Sequence, residues 1–470
     1  MDPLRIAEST IVALSTPPGA GAIAVIRVSG ADAIKKTTLF FSAKNGKALD
    51  TFPSHKAIFG DFKVAHQLID EVLLTLFRAP HSYTGEEVVE ISCHGSHFIQ
   101  QQILQALLSE KIYMAQPGEF TLRAYLNKKL DLSQAEAVAD LIASENEAAH
   151  QMALQQMRGG FSEAIESLRQ KLIEFTALIE LELDFGEEDV EFANRPELQN
   201  LLEDLSQRLT LLVESFAFGN VIKDGVGVVI AGKPNAGKSS LLNALLNEDR
   251  AIVSNIPGTT RDTIEDNIVI EGIKFRFIDT AGLRETSDSI EAIGVQKAKD
   301  KVAQATVLLY LFDRTDSTVE ALVLAIKSLY RQGLIVLLVE NKIDQFDGKV
   351  DEKFNAELHA LLKKEVAQFI SLSTLQPDSV QALKKSLVAE VEKLKNNSSV
   401  IVSNMRHFEA LKAALLSICD VQEGLKSYLS GDLLSIHLKE TIAHIGSITG
   451  KIDVDQDILG TIFGKFCIGK

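Results

Sequence analysis

The sequence predicts a multidomain protein of α/β plus α class: an N-terminal α+β domain, then a helical domain split in two by an inserted α/β domain. Three observations predict it. The chain is 470 residues long, and at roughly 150 residues per domain that length holds about three domains. An abrupt change at Val226 from helical periodicity to short β-rich runs alternating with helices marks the start of an α/β stretch. Helical periodicity returns near residue 403, and a compact domain whose termini lie close together can be inserted into another. Two separate helical units are the alternative partition.

The first element, residues 1–125, mixes α and β. A strand over 23–28 follows the turn-rich Pro17-Pro18-Gly19-Ala20-Gly21, and another over 88–92 follows Tyr83-Thr84-Gly85. The second element, 126–218, is helical. Ser133 with Glu136 three residues later reads as an N-cap and capping box. Ile165, Leu168, Leu172, Phe175 and Ile179 recur at the spacing of one apolar helix face. The α/β domain spans 224–390. The second helical part, 391–470, repeats the pattern in Phe408, Leu411, Leu415 and Ile418.

Composition bounds the function. Hydrophobic residues make up 46% and charged residues 24% of the chain, which excludes a disordered or collagen-like chain. The longest apolar runs, 307–312 and 334–339, fall far short of the ~18 residues of a membrane span. The N-terminus lacks the basic head and apolar core of a secretory signal. Three cysteines cannot build a disulfide framework, so the expected location is the reducing cytoplasm. A net charge of −16 argues against a generic nucleic-acid coat, while leaving room for a local basic patch.

The chemistry begins at Gly232-Lys233-Pro234-Asn235-Ala236-Gly237-Lys238-Ser239, between the apolar run Val226–Ala231 and a helix pattern from Ser240. This is a G-x-x-x-x-G-K-S phosphate loop in a strand–loop–helix setting. Its backbone N–H groups converge on phosphate oxygens, Lys238 reaches the β- and γ-phosphates, and Ser239 ligates Mg²⁺. Asp279-Thr280-Ala281-Gly282 follows a strand ending at Ile278, where an Asp holds Mg²⁺ through water and a Gly N–H senses the γ-phosphate. Asn341-Lys342-Ile343-Asp344 follows the 334–339 run, and its carboxylate suits the paired N–H groups of guanine rather than adenine. Thr259 and Thr260 stand where a switch loop belongs, either hydroxyl being a candidate second Mg²⁺ ligand. Together these predict a Ras-like GTPase domain. Ser371-Leu372 is the best candidate for the base-flanking segment.

Leu283 stands where Ras-like enzymes carry a water-orienting Gln. Either catalysis recruits another charge, a carboxylate or a cation, or the domain is nearly inactive alone; Glu285, Asp288 and Glu291 are nearby carboxylates, each of which reads first as part of a solvated acidic loop. The tail Phe466-Cys467-Ile468-Gly469-Lys470 places a thiol near a terminal lysine, which leaves two readings open: a nucleophile with a lowered pKa, or, the more usual case, an inert cysteine packed on a helix end. Cys93 and Cys419 read as core residues. His94, beside Cys93, has no third partner in sequence and reads as structural.

With these motifs in view, the chain resembles the MnmE (TrmE) family of bacterial tRNA-modification GTPases over essentially its whole length. The resemblance rests on Thr16-Pro17-Pro18-Gly19 with Arg27-Val28-Ser29-Gly30, Ser82-Tyr83-Thr84-Gly85-Glu86 and Pro117-Gly118-Glu119-Phe120 with Leu126-Asn127. It continues through Lys129-Leu130-Asp131-Leu132, the phosphate loop, Gly258-Thr259-Thr260-Arg261-Asp262, Asp279 to Arg284, and Cys467-Ile468-Gly469-Lys470.

The resemblance implies that residues 1–125 bind a tetrahydrofolate derivative (5-formyl or 5,10-methylene) and make the protein a homodimer. Arg27, Glu90, Lys129 and Lys470 match the positions around that ligand. It implies K⁺ held by Asn235, Ser254, the Ile256 carbonyl and Thr259, and Mg²⁺ on Ser239 and Thr260. The remaining GTP-binding positions it implies are Ala236, Gly237, Lys238, Ser240, Asn255, Pro257, Gly258, Asp279, Thr280, Ala281, Gly282, Asn341, Lys342 and Asp344. Glu291 matches the catalytic acid that positions the attacking water, and Cys467 is the second catalytic candidate. The implied partner is FAD-containing MnmG, in a heterotetramer or larger complex, with tRNA as substrate and no membrane. The rival reading is a regulatory GTP switch for ribosome assembly that shares only the GTPase domain; an ATP-dependent enzyme conflicts with Asn341 and Asp344.

Overall fold

The computed structural model describes residues 9–184, 195–247, 266–278, 300–346, 351–394, 400–427, 429, 431–451, 462–464, 466 and 469. They form two compact units. One gathers Met1–Ile142, Leu154–Val190 and Ser435–Lys470, the other Ala143–Ala153 and Glu191–Leu434.

The first unit is built on seven strands: β1 (Ile11–Leu14), β2 (Ile23–Ser29), β3 (Phe41–Ala43), β4 (Ala57–Val64), β5 (Gln67–Phe77), β6 (Val88–His94) and β7 (Tyr113–Met114). Their order is β3-β4-β5-β6-β2-β1-β7. Every pairing is antiparallel except β1 with β7. Alternation explains the two faces. Val72, Leu74 and Leu76 of β5 are buried, whereas Glu71 and Leu73, alternating with them, are exposed. Helices α1 (Ala33–Thr37) and α2 (His97–Ser109) cover the inner face, contributing Ala33, Ile34, Ile103, Ala106 and Leu107 to one apolar core. On the other face β2 and β6 set Arg27 directly opposite Glu90.

Helices α3 (Glu119–Leu126), α4 (Leu132–Ala143), α5 (Glu147–Met157) and α6 (Gly160–Asp184) follow. The cap of α4 differs from the expected one. Asp131, two residues before Ser133, accepts from Gln134 N at 2.9 Å, and the Gln134 side chain accepts from Asp131 N at 2.9 Å. That is a reciprocal capping box two residues earlier in register. Ser133 already lies inside the helix, its hydroxyl bonded to Asp131 and Ser162. The buried stripe of α6 is Ile165, Leu168, Leu172, Thr176 and Ile179. Phe175 is only half-buried, and the Thr176 hydroxyl satisfies itself on the Leu172 carbonyl at 2.7 Å.

The second unit contains α7 (Arg195–Asp224), β8 (Val226–Ala231), α8 (Lys238–Asn247), β9 (Asp266–Ile270), β10 (Ile273–Phe277), β11 (Val307–Asp313), α9 (Val319–Leu329), β12 (Ile335–Asn341), α10 (Glu352–Leu362), β13 (Gln368–Ser371), α11 (Pro377–Glu392) and α12 (Met405–Lys426). The sheet runs β13-β12-β11-β8-β10-β9. All neighbours are parallel except the β9–β10 hairpin. Parallel strands are covered on both faces and so read as continuous apolar runs; β11 is buried at all seven positions. Alternate residues feed two cores. Val307, Leu309 and Leu311 pack with α8 and α11. Leu308, Tyr310 and Phe312 pack with α9 and α10.

Helices from before and after this sheet meet within each unit. In the second, Phe216 of α7 stacks on Phe408 of α12 at 4.4 Å. Ser215 Oγ accepts from Val402 N at 3.0 Å, and any side chain at Gly219 would strike the Val402 carbonyl. In the first, Ser435 and Lys439 of α13 (Gly431–Thr449) reach Glu180 of α6. Cys419, expected in the core, is exposed on α12; Cys93 is buried as expected. Among the described residues no helix is long and apolar enough to cross a membrane.

Candidate functional site

The C-terminal ends of the parallel strands in the second unit carry the phosphate loop, as open α/β sheets place their ligand sites. β8 ends at Ala231, and the loop to α8 needs left-handed backbone at Asn235 (φ 61°) and Gly237 (φ 96°). A Cβ on Gly237 would strike the Asn341 amide. Helix α8 opens on Lys238 itself, two residues before the expected Ser240. The Lys238 amine lies across the loop, donating to the carbonyls of Gly232 at 2.8 Å and Lys233 at 2.7 Å. Burial lowers its pKa from the usual lysine value. Its charge is therefore poorly solvated and suited to an anion. Loop amides, helix N-terminus and lysine together fit a polyphosphate.

Asn341 is 1% exposed at the end of β12. Its Nδ2 donates to the Ala236 carbonyl at 2.9 Å and its Oδ1 accepts from Thr374 N at 3.3 Å. One amide thus joins the phosphate loop, the Asn341–Asp344 segment and the loop after β13. Lys342, in left-handed backbone (φ 63°), donates to Asp313 Oδ2 at 2.9 Å. Burial raises the Asp313 carboxyl, but the Lys342 ion pair and two hydrogen bonds from Thr315 outweigh it and hold the group below its usual value. Asp344 sits on a 3-10 turn, Ile343–Phe346, and is exposed. The Ser371 hydroxyl is engaged by Glu340 Oε2 at 2.8 Å, and Leu372 is fully buried. The loop residue bonded to Asn341 is Thr374.

In the first unit, Arg27 bonds Glu90 through Nε at 2.9 Å and Nη2 at 2.7 Å. Its guanidinium carbon lies 5.4 Å from the Tyr83 ring and 5.6 Å from that of Phe120. Burial raises the Tyr83 phenol pKa, against smaller opposing effects from its Thr121 hydrogen bond and the Arg27 charge. Lys129 Nζ donates to the Pro80 carbonyl at 3.0 Å and its stem packs beside Gly85, on the same 80–86 loop that carries Tyr83. That loop is anchored by Arg123, which sequence reasoning missed. Arg123 is 1% exposed and bonds Glu86, Glu119 and both Ser9 oxygens at 2.8–3.2 Å. Glu86 also accepts from Ser29 at 2.7 Å.

The tail reaches the same unit. Gly469 lies against β1: Ser15 Oγ donates to its carbonyl at 3.1 Å, and a side chain there would strike the Leu14 carbonyl. His94 does have a further partner, Asp70, which accepts from its backbone N–H at 2.8 Å and lies 2.7 Å from Nδ1. The thiol of Cys93 turns inward to the Ala24 carbonyl, and burial pushes it up to about 11. No Cys–His pair forms. Outside the described residues lie Ser254, Asn255, Ile256, Pro257, Gly258, Thr259, Thr260, Asp279, Thr280, Ala281, Gly282, Leu283, Glu285, Asp288, Glu291, Cys467 and Lys470.

Comparison with known proteins agrees with this arrangement. The family described as "GTP-binding protein TrmE N-terminus" matches residues 10–129, and "MnmE helical domain" matches 132–467. A tRNA modification GTPase MnmE from Christiangramia forsetii is 52% identical, covering 98% of this chain and 99% of its own length. Those of Flavobacterium johnsoniae and Bacteroides thetaiotaomicron are each 50% identical, covering 99% and 98% of this chain and all of their own lengths. With the phosphate loop, the Asn341–Asp344 turn and both domain signatures in one chain, the protein belongs to the MnmE family of tRNA modification GTPases.

Proposed function

We propose that this chain is the K⁺-stimulated GTPase which, with FAD-containing MnmG, uses a tetrahydrofolate one-carbon unit to add an aminomethyl-type group to carbon 5 of wobble uridine in tRNA. The observation that carries the GTPase half is Asn341 bonded to the Ala236 carbonyl, because it brings the phosphate loop and the Asp344 turn into one pocket. Lys238 meets the β- and γ-phosphates, and Asp344 accepts from the guanine N–H groups. Ser239 and Thr260 hold Mg²⁺. Asn235, Ser254, the Ile256 carbonyl and Thr259 hold K⁺, whose charge offsets the lack of a Gln at Leu283. Glu291 positions the attacking water. Both ions stabilise negative charge on the transferring phosphoryl group when bound.

The folate half is supported by the Arg27–Glu90 pair against Tyr83 and Phe120, with Lys129 on the same loop. Lys470 joins it, and the contact of Gly469 with β1 supports a tail directed to this domain. Cys467, in the same tail, is the second residue assigned to the modification chemistry, as a covalent catalyst or as a docking element for MnmG. The domains are 1–125 for folate and dimerisation, 126–218 and 391–470 for the split helical domain, and 224–390 for GTP. The test is mass spectrometry of wobble-uridine nucleosides from a deletion strain carrying wild type or Lys238→Ala. Wild type restores the modification and Lys238→Ala does not; equal restoration by both would overturn the reading.

A further inference from the structure

The segment that carries Asp344 is short. A four-residue 3-10 turn has few internal hydrogen bonds, so its exposed carboxylate must be fixed from outside. The structure grips that turn on either side of Asp344 from one point. β11 ends at Asp313, whose carboxylate holds Lys342 at 2.9 Å. The next residue, Arg314, lays its guanidinium over Phe346, with Cζ 3.9 Å from the ring centroid. Arg314 is in turn oriented by Glu340, whose Oε1 lies 3.4 Å from its Nε. Glu340 is 2% exposed, and its other oxygen accepts from Ser371 at 2.8 Å. A buried carboxylate is costly unless compensated; here one oxygen is satisfied by the Ser371 hydroxyl, and the other faces the Arg314 charge at ion-pair distance without a hydrogen bond, while the same guanidinium lies over an aromatic ring, an arrangement lysine cannot reproduce.

From this geometry we propose that Arg314 is a positioning residue for guanine recognition: stacked on Phe346 and steered by Glu340, it fixes the turn so that Asp344 presents both carboxylate oxygens to the base. The proposal rests on Asp344 reading the base, and it adds the device that aims it. Arg314 does not touch the nucleotide. Its loss leaves phosphate contacts intact but lets Asp344 wander, so the second of its two hydrogen bonds to guanine is lost preferentially.

The experiment compares GTP and inosine triphosphate, which lacks the 2-amino group and so makes only one of those bonds. Affinities are measured by calorimetry for the full-length protein and for Arg314→Ala, Arg314→Lys, Phe346→Ala, Phe346→Tyr and the Arg314→Ala/Phe346→Ala double variant. Arg314→Ala is expected to weaken GTP about ten-fold and inosine triphosphate about three-fold, lowering the preference between them. Phe346→Ala and the double variant should match it, because the pair acts as one unit. Arg314→Lys should resemble the alanine variant and Phe346→Tyr the wild type. Turnover at saturating GTP should stay within about two-fold.

Equal weakening of both nucleotides would mean general loosening and would overturn the proposal. Multiplicative losses in the double variant, or no loss at all, would do the same. Asp344→Asn in the same assay separates the two readings: failure of that variant to exchange guanine for xanthine preference rejects the base-reading role, whereas success there with an unchanged nucleotide ratio in Arg314→Ala rejects the positioning role alone.

Discussion

Asn341 Nδ2 donates to the carbonyl of Ala236 across 2.9 Å, joining the end of β12 to the phosphate loop 105 residues away in the chain. The side chain that marks guanine specificity in sequence is, in the fold, first of all a brace between the phosphate loop and the loop after β13. Replacing it by alanine strands a buried carbonyl and leaves Thr374 N–H without its acceptor. Asn341→Ala should cost about 1–3 kcal/mol of stability. It should therefore lower the unfolding midpoint even without nucleotide. An unchanged melting curve would restrict Asn341 to ligand contact.

Asp344 is the residue proposed to read the base. Asp344→Asn inverts the donor–acceptor pattern, so GTP affinity should fall by more than about ten-fold while xanthosine triphosphate affinity rises. Titration with both nucleotides decides it. Since Asp344 is exposed, the variant should melt like wild type.

Catalysis should depend on the monovalent cation. K⁺ should accelerate GTP hydrolysis at least about ten-fold over Na⁺, since positive charge at the transferring phosphoryl group is the missing element. Glu291→Ala should lower turnover and leave nucleotide affinity nearly intact, as expected for a group acting in the transition state. Steady-state rates in matched KCl and NaCl provide the check, and equal rates would remove the cation from the mechanism.

For the folate site, Glu90→Ala should weaken 5-formyl-tetrahydrofolate about ten-fold in calorimetry while GTP hydrolysis is unchanged, because charge-assisted hydrogen bonds dominate such contacts. Stability should shift by less than about 1 kcal/mol, since the Arg27–Glu90 pair is partly exposed, at 19% and 27%. Intact folate affinity would place the ligand elsewhere.

The cysteines should separate by reactivity. With its thiol pushed up to about 11, first by burial and then by the nearby Asp70 charge, Cys93 holds a stable proton in the folded state. At pH 8 only about a thousandth of it is thiolate, so alkylation should spare Cys93 until the protein unfolds. Exposed Cys419 should label in the native state. Cys467→Ser should abolish wobble-uridine modification and leave GTPase activity intact, and normal modification in that variant would make the thiol dispensable.

Local chemistry was legible in the sequence where neighbouring residues supply all of it. The phosphate loop needs only its own glycines, lysine and flanking apolar strand, and β8 and α8 lie where that pattern put them. Alternation and helical spacing likewise located β2, β6 and α6. What the sequence hid is tertiary. Arg123 sits in an ordinary amphipathic stretch, and nothing nearby in the chain shows that it closes on Ser9, Glu86 and Glu119. Asp313 with Lys342, Arg314 with Phe346 and Asp70 with His94 meet only when strands align. The α4 cap was misplaced because Asp131 and Ser133 are both good caps, and the reciprocal bond with Gln134 decides between them. Cys419 was misjudged because an apolar helix pattern does not say which flank of the stripe a given residue occupies.

The close approach of Gly219 to Val402 has a consequence for the gene rather than the molecule. The chain leaves α7 and comes back beside it, with Val402 N–H held by Ser215. Everything between can be treated as a cassette with two neighbouring splice points. Cutting there and closing the gap with a few residues spares the α7–α12 seam, but a new host must also replace Ala149 and Phe218, which share the core of the excised sheet. An exchange of the nucleotide-binding segment as a whole therefore has to keep those contacts as well as a glycine at position 219, where the returning chain passes.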